Sequence, residues 1–554
     1  MFIDGITPLV HATHDVFNQV PPLVNYNLFT QDATLVESVR REGAAWASDQ
    51  LTTLGGVAGS EEAIQWSFDA NTQTPVLHTH DRSGQRLDEV IFHPAWHRLM
   101  RTSIAVGAHA LSWRDERPGR HVARAATFYL CSQMEAGHCC PLSMTHAAVA
   151  VLRTQPLLAA TWEPLLTSLH YDPGLRRGQE KQGVLCGMGM TEKQGGSDVR
   201  ANTTRALPSS VEGEDVYLLT GHKWFCSAPM CDLFLVLAQA PNGLTCFLLP
   251  RILPDGTRNR FLIQRLKDKL GNRSNASSEV EFDQAWALRV GDEGRGVRTI
   301  IDMVNYTRLD CVVGSAAGMR QAVVLAAHHA AHRKAFGHLL IERPLMQNVL
   351  ADLTIESEAA TLLAMRLAHA CERAASDEHE AFIRRLGTAI GKYWVAKRGP
   401  VHAAEALECL GGNGYVEESL MPRLYREAPL NSLWEGAGNV NCLDVLRAMA
   451  KEPASVQAFL SEVTRAEGAD ARLDAAATRL KQELSDLSNL EVRARRLVEA
   501  MALLWQGALL VQYSPPAVAG AFCASRLAGD WGHAFGTLPA GTDFASIIER
   551  ARVH

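Results

Sequence analysis

The hydrophobic period of the chain changes twice, and this constrains its fold more than any other feature. Up to about residue 184, apolar residues recur at three- and four-residue spacing, as in "PAWHRLMRTSIAVGAHAL" and "VARAATFYLCSQMEAG", where Trp96, Leu99 and Met100 share one helix face. From 185 to 291 the texture becomes β-like. Short runs such as "VYLLTGHKWF", "LFLVLAQA", "LTCFLLPRI" and "SSEVEF" alternate with "PSSVEGED", "APNG" and "LPDGTRN", which carry turn chemistry. Strands spaced by roughly ten residues, with no helix between them, predict an antiparallel barrel or sandwich. The helical period returns at 292 in "TRLDCVVGSAAGMRQAVVLAAHHAAHRKAF", resumes after Pro344 and stops at Gly411 and Gly412. Pro453 opens a last helical stretch. The expectation is an α+β chain of four parts: an N-terminal helical domain (1–184), a central β-domain (185–291), a helical bundle (292–450) and an extra C-terminal helical domain (451–554).

Composition narrows the function classes. A net charge of −6 gives no global attraction to nucleic acid or anionic lipid. Residues 451–554 hold 11 Lys and Arg against 12 Asp and Glu, so the last domain is not basic either. Its "EVRARRLVEA" run, with Arg493, Arg495 and Arg496 beside Glu491 and Glu499, reads as a solvated helix face. Twelve cysteines without a C-x-x-C pair read as reduced thiols in a cytoplasmic protein. "MFIDGITPLV" has neither a signal-peptide nor a transit-peptide pattern. "AMALLWQGALLVQYSPP" breaks too early to span a membrane, so no membrane partner is expected.

Several motifs fail. Gly187-x-Gly189 lacks the third glycine and the βαβ surroundings of a dinucleotide fingerprint. His328, His329 and His332 have no carboxylate at matching spacing and read as packed or solvated histidines; no metal is expected. His78 and His80 read the same way, in a polar turn. Other stretches carry chemistry. In "GMGMTEKQGGSDV" (187–199), Thr191, Ser197 and backbone N–H groups beside glycines could present donors to one face of a ligand. In "GHKWFCS" (221–227), Trp224 and Phe225 could wall a planar ring or belong to the core. In "HRKAFG", Arg333 could grip a phosphate and Phe336 stack on a base. In "NSLWEGAGN", Glu435 stands between an aromatic and glycines with no basic residue beside it, a setting that raises a carboxyl pKa and suits a general base.

Taken together and in order, these motifs resemble the acyl-CoA dehydrogenase family. Its T-E-x-x-x-G-S-D signature falls at Thr191–Asp198 and its G-x-K-W-x-x-S at Gly221–Ser227. K-L-G-x-R falls at Lys269–Arg273, R-x-x-F-G at Arg333–Gly337, G-G-x-G at Gly411–Gly414 and the E-G loop at Glu435-Gly436. The chain also resembles the longer AidB-type branch, the alkylation-response flavoproteins, in "VFNQVPPLVNYNL", "LKDKLGNRSNAS" and the additional C-terminal domain.

The resemblance implies a homotetramer with FAD between the β-domain and the bundle. Met188, Met190, Thr191, Gly196 and Ser197 would hold the isoalloxazine end, with Phe225, Cys226 and Ser227 covering its face. Arg333, Phe336, Gly411 and Gly412 would meet the pyrophosphate and adenosine of a FAD on a neighbouring subunit, and Asn439 would also contact FAD. Glu435 would be the catalytic base toward an acyl-CoA thioester. Some members carry the base just before a helix arginine. Here Thr307 precedes that arginine, Arg308, which would lie at the substrate. Lys193, Ala437 and Glu408 depart from common family residues. For function the resemblance implies a duplex-DNA-binding protein of the alkylation response that retains a dehydrogenase site; the alternative is a metabolic dehydrogenase for short or branched acyl-CoA without a DNA role.

Overall fold

The computed structural model describes residues 13–554 apart from 211, 212, 214 and 487. Among the described residues, the N-terminal part packs seven main helices: Ala33–Arg41, Ser48–Ala58, Glu61–Thr72, Pro94–Ala105, Arg120–Met134, Cys139–Leu152 and Pro156–Leu166. Local chemistry sets their starts. Asp32 accepts from the Leu35 N–H, Ser60 accepts from the Ala63 N–H, and Pro94 occupies a first helical position. Cys139–Leu152 is buried on nearly all sides because its sequence is small and apolar all round.

A hairpin interrupts these helices, β1 (Val76–His80) paired antiparallel to β2 (Arg86–Ile91). His78 and His80 therefore lie on a strand and not in a turn. The turn falls at Asp81–Gln85, where the Asp81 carboxylate accepts from the N–H groups of Ser83 and Gln85.

The central sheet comprises β3 (Cys186–Gly189), β4 (Arg205–Pro208), β5 (Val216–Ser227), β6 (Leu233–Ala240), β7 (Gly243–Pro250), β8 (Phe261–Leu266) and β9 (Ser277–Val290). β6 pairs with β7, β7 with β9, β9 with β5, β5 with β4, and β4 with β6, which closes a ring; β3 adds to β6 and β8 to β9. The predicted antiparallel barrel holds with one difference, since both β3 and β4 run parallel to β6. β6 and β7 are buried on both faces, as their unbroken apolar sequences require.

Three long helices form the bundle: Gly296–His332, Pro344–Arg373 and Glu378–Cys409. The first has 37 residues, and at 1.5 Å per residue it is about 55 Å long. It is apolar enough in composition to cross a membrane, yet 83% of its most apolar window is buried inside the protein. The third ends where the glycines predicted a stop, with Gly411 at φ +59°. Between the first two lie the short strands β10 (Lys334–Ala335) and β11 (His338–Leu339).

The C-terminal helices Ala454–Thr464, Ala471–Ser485 and Leu490–Tyr513 dock on the bundle. Gly387 makes this possible: a Cβ there would come within 2.6 Å of the buried Trp505 ring. Arg366 bridges Glu380 and Glu462 across the same seam, at 2.8 Å to each.

Candidate active site

The loop after β3 is held by one buried ion pair. Lys223, on β5, puts its ammonium 2.7 Å from Glu192 and donates a second bond to the Leu237 carbonyl, with both charged side chains fully buried. The Glu192 carboxylate also accepts from the N–H groups of Thr203 and Thr204. Burial opposes its charge, but Lys223 and these donors hold its pKa down at about 2. The Trp224 N–H donates to the Thr191 carbonyl at 2.8 Å, and the Asn202 amide donates to the Met190 carbonyl at 2.9 Å. Loop and strand thus form one rigid unit. It brings together Met188, Met190, Thr191, Gly196 and Ser197 with Phe225, Cys226 and Ser227, eight residues of β3, the loop after it and β5.

This unit fits a flavin in the chemistry of its donors. Among the described residues, the Thr191 and Ser197 hydroxyls have no hydrogen-bond partner, whereas the Glu192 carboxylate and the Lys223 ammonium are both engaged. Gly196 must lack a side chain, since a Cβ would lie 2.4 Å from Thr191 Oγ1. The Trp224 ring is half-buried beneath the Lys267 ammonium, 3.7 Å away, and Phe225 is exposed. These residues would hold the isoalloxazine ring.

Glu435 lies in the segment between the bundle's third helix and the helix Gly438–Lys451. It has φ +56°, a left-handed conformation costly for a residue with a side chain. Two buried cations impose it. Lys392 donates to the carbonyls of Trp434 (2.7 Å) and Gly436 (2.5 Å), and Arg308 donates from Nε to the Glu435 carbonyl (3.0 Å). Arg308 is fixed in turn by Asp444, 2.7 Å away, so its guanidinium orients the Glu435 loop. Asn441 donates a further bond to the Gly436 carbonyl.

The side chain of Glu435 is oriented as well as its backbone. Thr307 Oγ1 donates to Oε2 at 2.6 Å, and Oε1 has no partner among the described residues. Burial raises the Glu435 pKa above the usual carboxylate range, while the Thr307 hydrogen bond, Lys392 and Arg308 pull the other way. The sequence shows no cation next to Glu435; the fold supplies two from distant helices. The two halves of the site meet at Cys140. Burial pushes this thiol up to about 12, with the Glu435 carboxylate adding to the rise and a hydrogen bond from Ser227 opposing it.

The remaining predicted residues lie outside these two hydrogen-bonded units. The Phe336 ring is 93% exposed on a backbone at φ +53°. Arg333 Nη1 donates to the Asn18 carbonyl at 2.5 Å, and the Asn18 side chain bonds both the N–H and the carbonyl of Lys334. Gly411 and Gly412 face open space. No hydrogen bond among the described residues joins these four to the 188–197 loop. Asn439 accepts from Arg495 Nε at 2.8 Å, so it also contacts the C-terminal domain. His328 and His332 bond backbone carbonyls.

A helical layer, a closed β-ring with a donor-bearing loop, and a helical bundle presenting one activated carboxylate define a flavin-dependent oxidoreductase of the acyl-CoA dehydrogenase type. Comparison with known proteins agrees over most of the chain. The adaptive response protein AidB N-terminal domain matches residues 18–173, the acyl-CoA dehydrogenase middle domain 187–285 and the acyl-CoA dehydrogenase C-terminal domain 294–450. AidB of Escherichia coli (strain K12) is 49% identical, covering 93% of this chain and 94% of that one. Acyl-CoA dehydrogenase family member 11 of Caenorhabditis elegans is 30% identical over 92% of this chain and 87% of its own length. The Caenorhabditis elegans ACDH-11 structure, a complex with C11-CoA, superposes with TM-score 0.86 at 28% identity, covering 94% of each chain. The chain belongs to the acyl-CoA dehydrogenase family, in its AidB branch, and its cofactor is FAD.

Proposed function

We propose that the protein dehydrogenates an acyl-CoA thioester, with Glu435 removing the α-proton, and that it also binds duplex DNA as part of an alkylation response. The observation that carries the first part is the Glu435 geometry: a buried carboxylate of raised pKa, clamped in a left-handed backbone, with one oxygen fixed by Thr307 and the other unpartnered. FAD, when bound, supplies the acceptor for the β-hydrogen leaving as hydride. The chain's own residues orient it through Thr191 and Ser197 and hold the base ready on the bundle side. Incubation with isovaleryl-CoA and an artificial electron acceptor should yield the α,β-unsaturated thioester; unchanged thioester at full FAD occupancy would contradict this reading.

The AidB branch supports the DNA part. Arg493 is engaged by Glu483 and Asp486, but the Arg496 side chain is 81% exposed and Arg447, near the Glu435 loop, is 60% exposed. With a net charge of −6, binding must come from such local groups. Affinity for a duplex oligonucleotide should fall linearly in log–log terms as salt rises. No binding at low salt would leave the metabolic dehydrogenase reading. The exposed Phe336, Leu345 and Tyr415 support the homotetramer, since large apolar groups in solvent mark association surfaces. All twelve cysteines are free and buried, which supports a cytoplasmic location.

A further inference from the structure

A buried ion pair crosses the helices one turn beyond the base. Asp310 lies three residues after Thr307 on the first bundle helix, so the two side chains share a face. Its Oδ2 accepts from Arg124 Nη2 at 3.0 Å and from Ser143 Oγ at 2.7 Å, and its Oδ1 accepts from Arg124 Nη1. Arg124 Nε donates to the Ala108 carbonyl at 2.8 Å, so all three nitrogens of the guanidinium are engaged. Arg124, Ser143 and Asp310 stand on three different helices, Arg120–Met134, Cys139–Leu152 and Gly296–His332. Both charged side chains are only 3% exposed. A bidentate pair of this kind is geometrically fixed, and parting its members would leave a buried charge alone.

The position of the pair relative to the base gives it a consequence for substrate. Dehydrogenation needs the α-carbon at Glu435 and the β-carbon at the flavin, so the thioester lies between the Glu435 segment and the 188–197 loop, whose two units meet at Cys140. The phosphates of CoA stay with solvent, so the acyl tail is the end that points inward. Cys140 is the second residue of its helix, and the only deeper turn on that helix carries Ser143. The same step on the first bundle helix leads from Thr307 to Asp310, whose charge adds to the rise in the Glu435 pKa. At 1.5 Å rise per residue the two levels are about 4.5 Å apart, the reach of roughly four carbons past the α-carbon. A hydrocarbon tail offers no hydrogen bond in exchange for those of the pair, and forcing it in would overpack the site.

We infer, on the dehydrogenase reading above, that the Arg124–Asp310 pair closes the acyl pocket and restricts the substrate to thioesters with an acyl chain of about six carbons or fewer. Binding is read with the FAD-loaded Glu435→Gln protein, which holds a thioester without turning it over, titrated calorimetrically with butyryl-, isovaleryl-, hexanoyl-, octanoyl- and dodecanoyl-CoA. Affinity is expected to fall roughly tenfold or more between hexanoyl- and octanoyl-CoA, as overpacking a closed pocket requires. In the same background, Arg124→Ala with Asp310→Ala removes both charges together and should return about that factor to octanoyl-CoA relative to isovaleryl-CoA. Dodecanoyl-CoA bound as tightly as isovaleryl-CoA would overturn the assignment, and so would a double variant that holds FAD and keeps the short cut-off. The chain-length series alone decides the matter where the double variant does not fold. Flavin bleaching in the wild-type protein separates the two readings. No bleaching by any thioester, beside a sharp cut-off in binding, would sink the dehydrogenase reading alone; bleaching by dodecanoyl-CoA as fast as by isovaleryl-CoA would sink the closed pocket alone.

Discussion

Glu435→Gln lowers the rate of flavin reduction by an acyl-CoA substrate by roughly 10²–10⁴-fold or more, the range attributed to a positioned general base, while FAD stays bound. Gln preserves the size of the side chain and its ability to accept from Thr307, so the loop clamped by Lys392 and Arg308 should keep its shape. The variant therefore removes basicity and leaves positioning in place. The wild-type pH profile gives a second signature. The base acts when ionised and its pKa is raised, so the rate falls as pH drops through a value above the ordinary carboxylate range. That acidic limb disappears in Glu435→Gln. Stopped-flow reduction across pH reads both, and a variant that retains wild-type turnover would refute the role.

Lys223→Met should destabilise the protein by about 3–5 kcal/mol, the cost of leaving a buried carboxylate without its partner. The pair is fully buried on both sides, and Glu192 would keep only the neutral donors of Gln194, Thr203 and Thr204. Because these groups anchor the loop carrying Thr191 and Ser197, FAD content should fall with stability. Adding Glu192→Gln removes the orphaned charge and should recover part of the loss, a coupling that independent sites would not show. Thermal denaturation together with flavin content per chain measures both effects. A single variant as stable as wild type, or a double variant no better than the single, would count against this account of the loop.

The sequence made some of this legible and not the rest, for physical reasons. A change of period is a one-dimensional signal, so the β-segment between helical regions was readable, as was the helix stop at Gly411. The parallel pairing of β3 and β4 with β6 was not, because strand direction depends on which distant run a strand meets. Glu435 stood out by its local setting, but its actual electrostatics come from Thr307, Arg308 and Lys392, contributed by other helices. Thr307 cannot itself be a base, as the sequence shows; that it orients one required the fold. The basic run at 493–496 reads as a solvated face. Arg493 is indeed tied to acidic neighbours, whereas Arg495 reaches Asn439 beside the candidate site, a contact no spacing rule predicts.

The most direct test is the visible spectrum of the FAD-loaded protein before and after anaerobic addition of isovaleryl-CoA. The account predicts that the oxidised flavin band bleaches, which requires a base, a bound thioester and a flavin within reach of one another. A band that persists with FAD bound, across short and branched acyl-CoA thioesters, would contradict the claim that Glu435 serves a working dehydrogenase site.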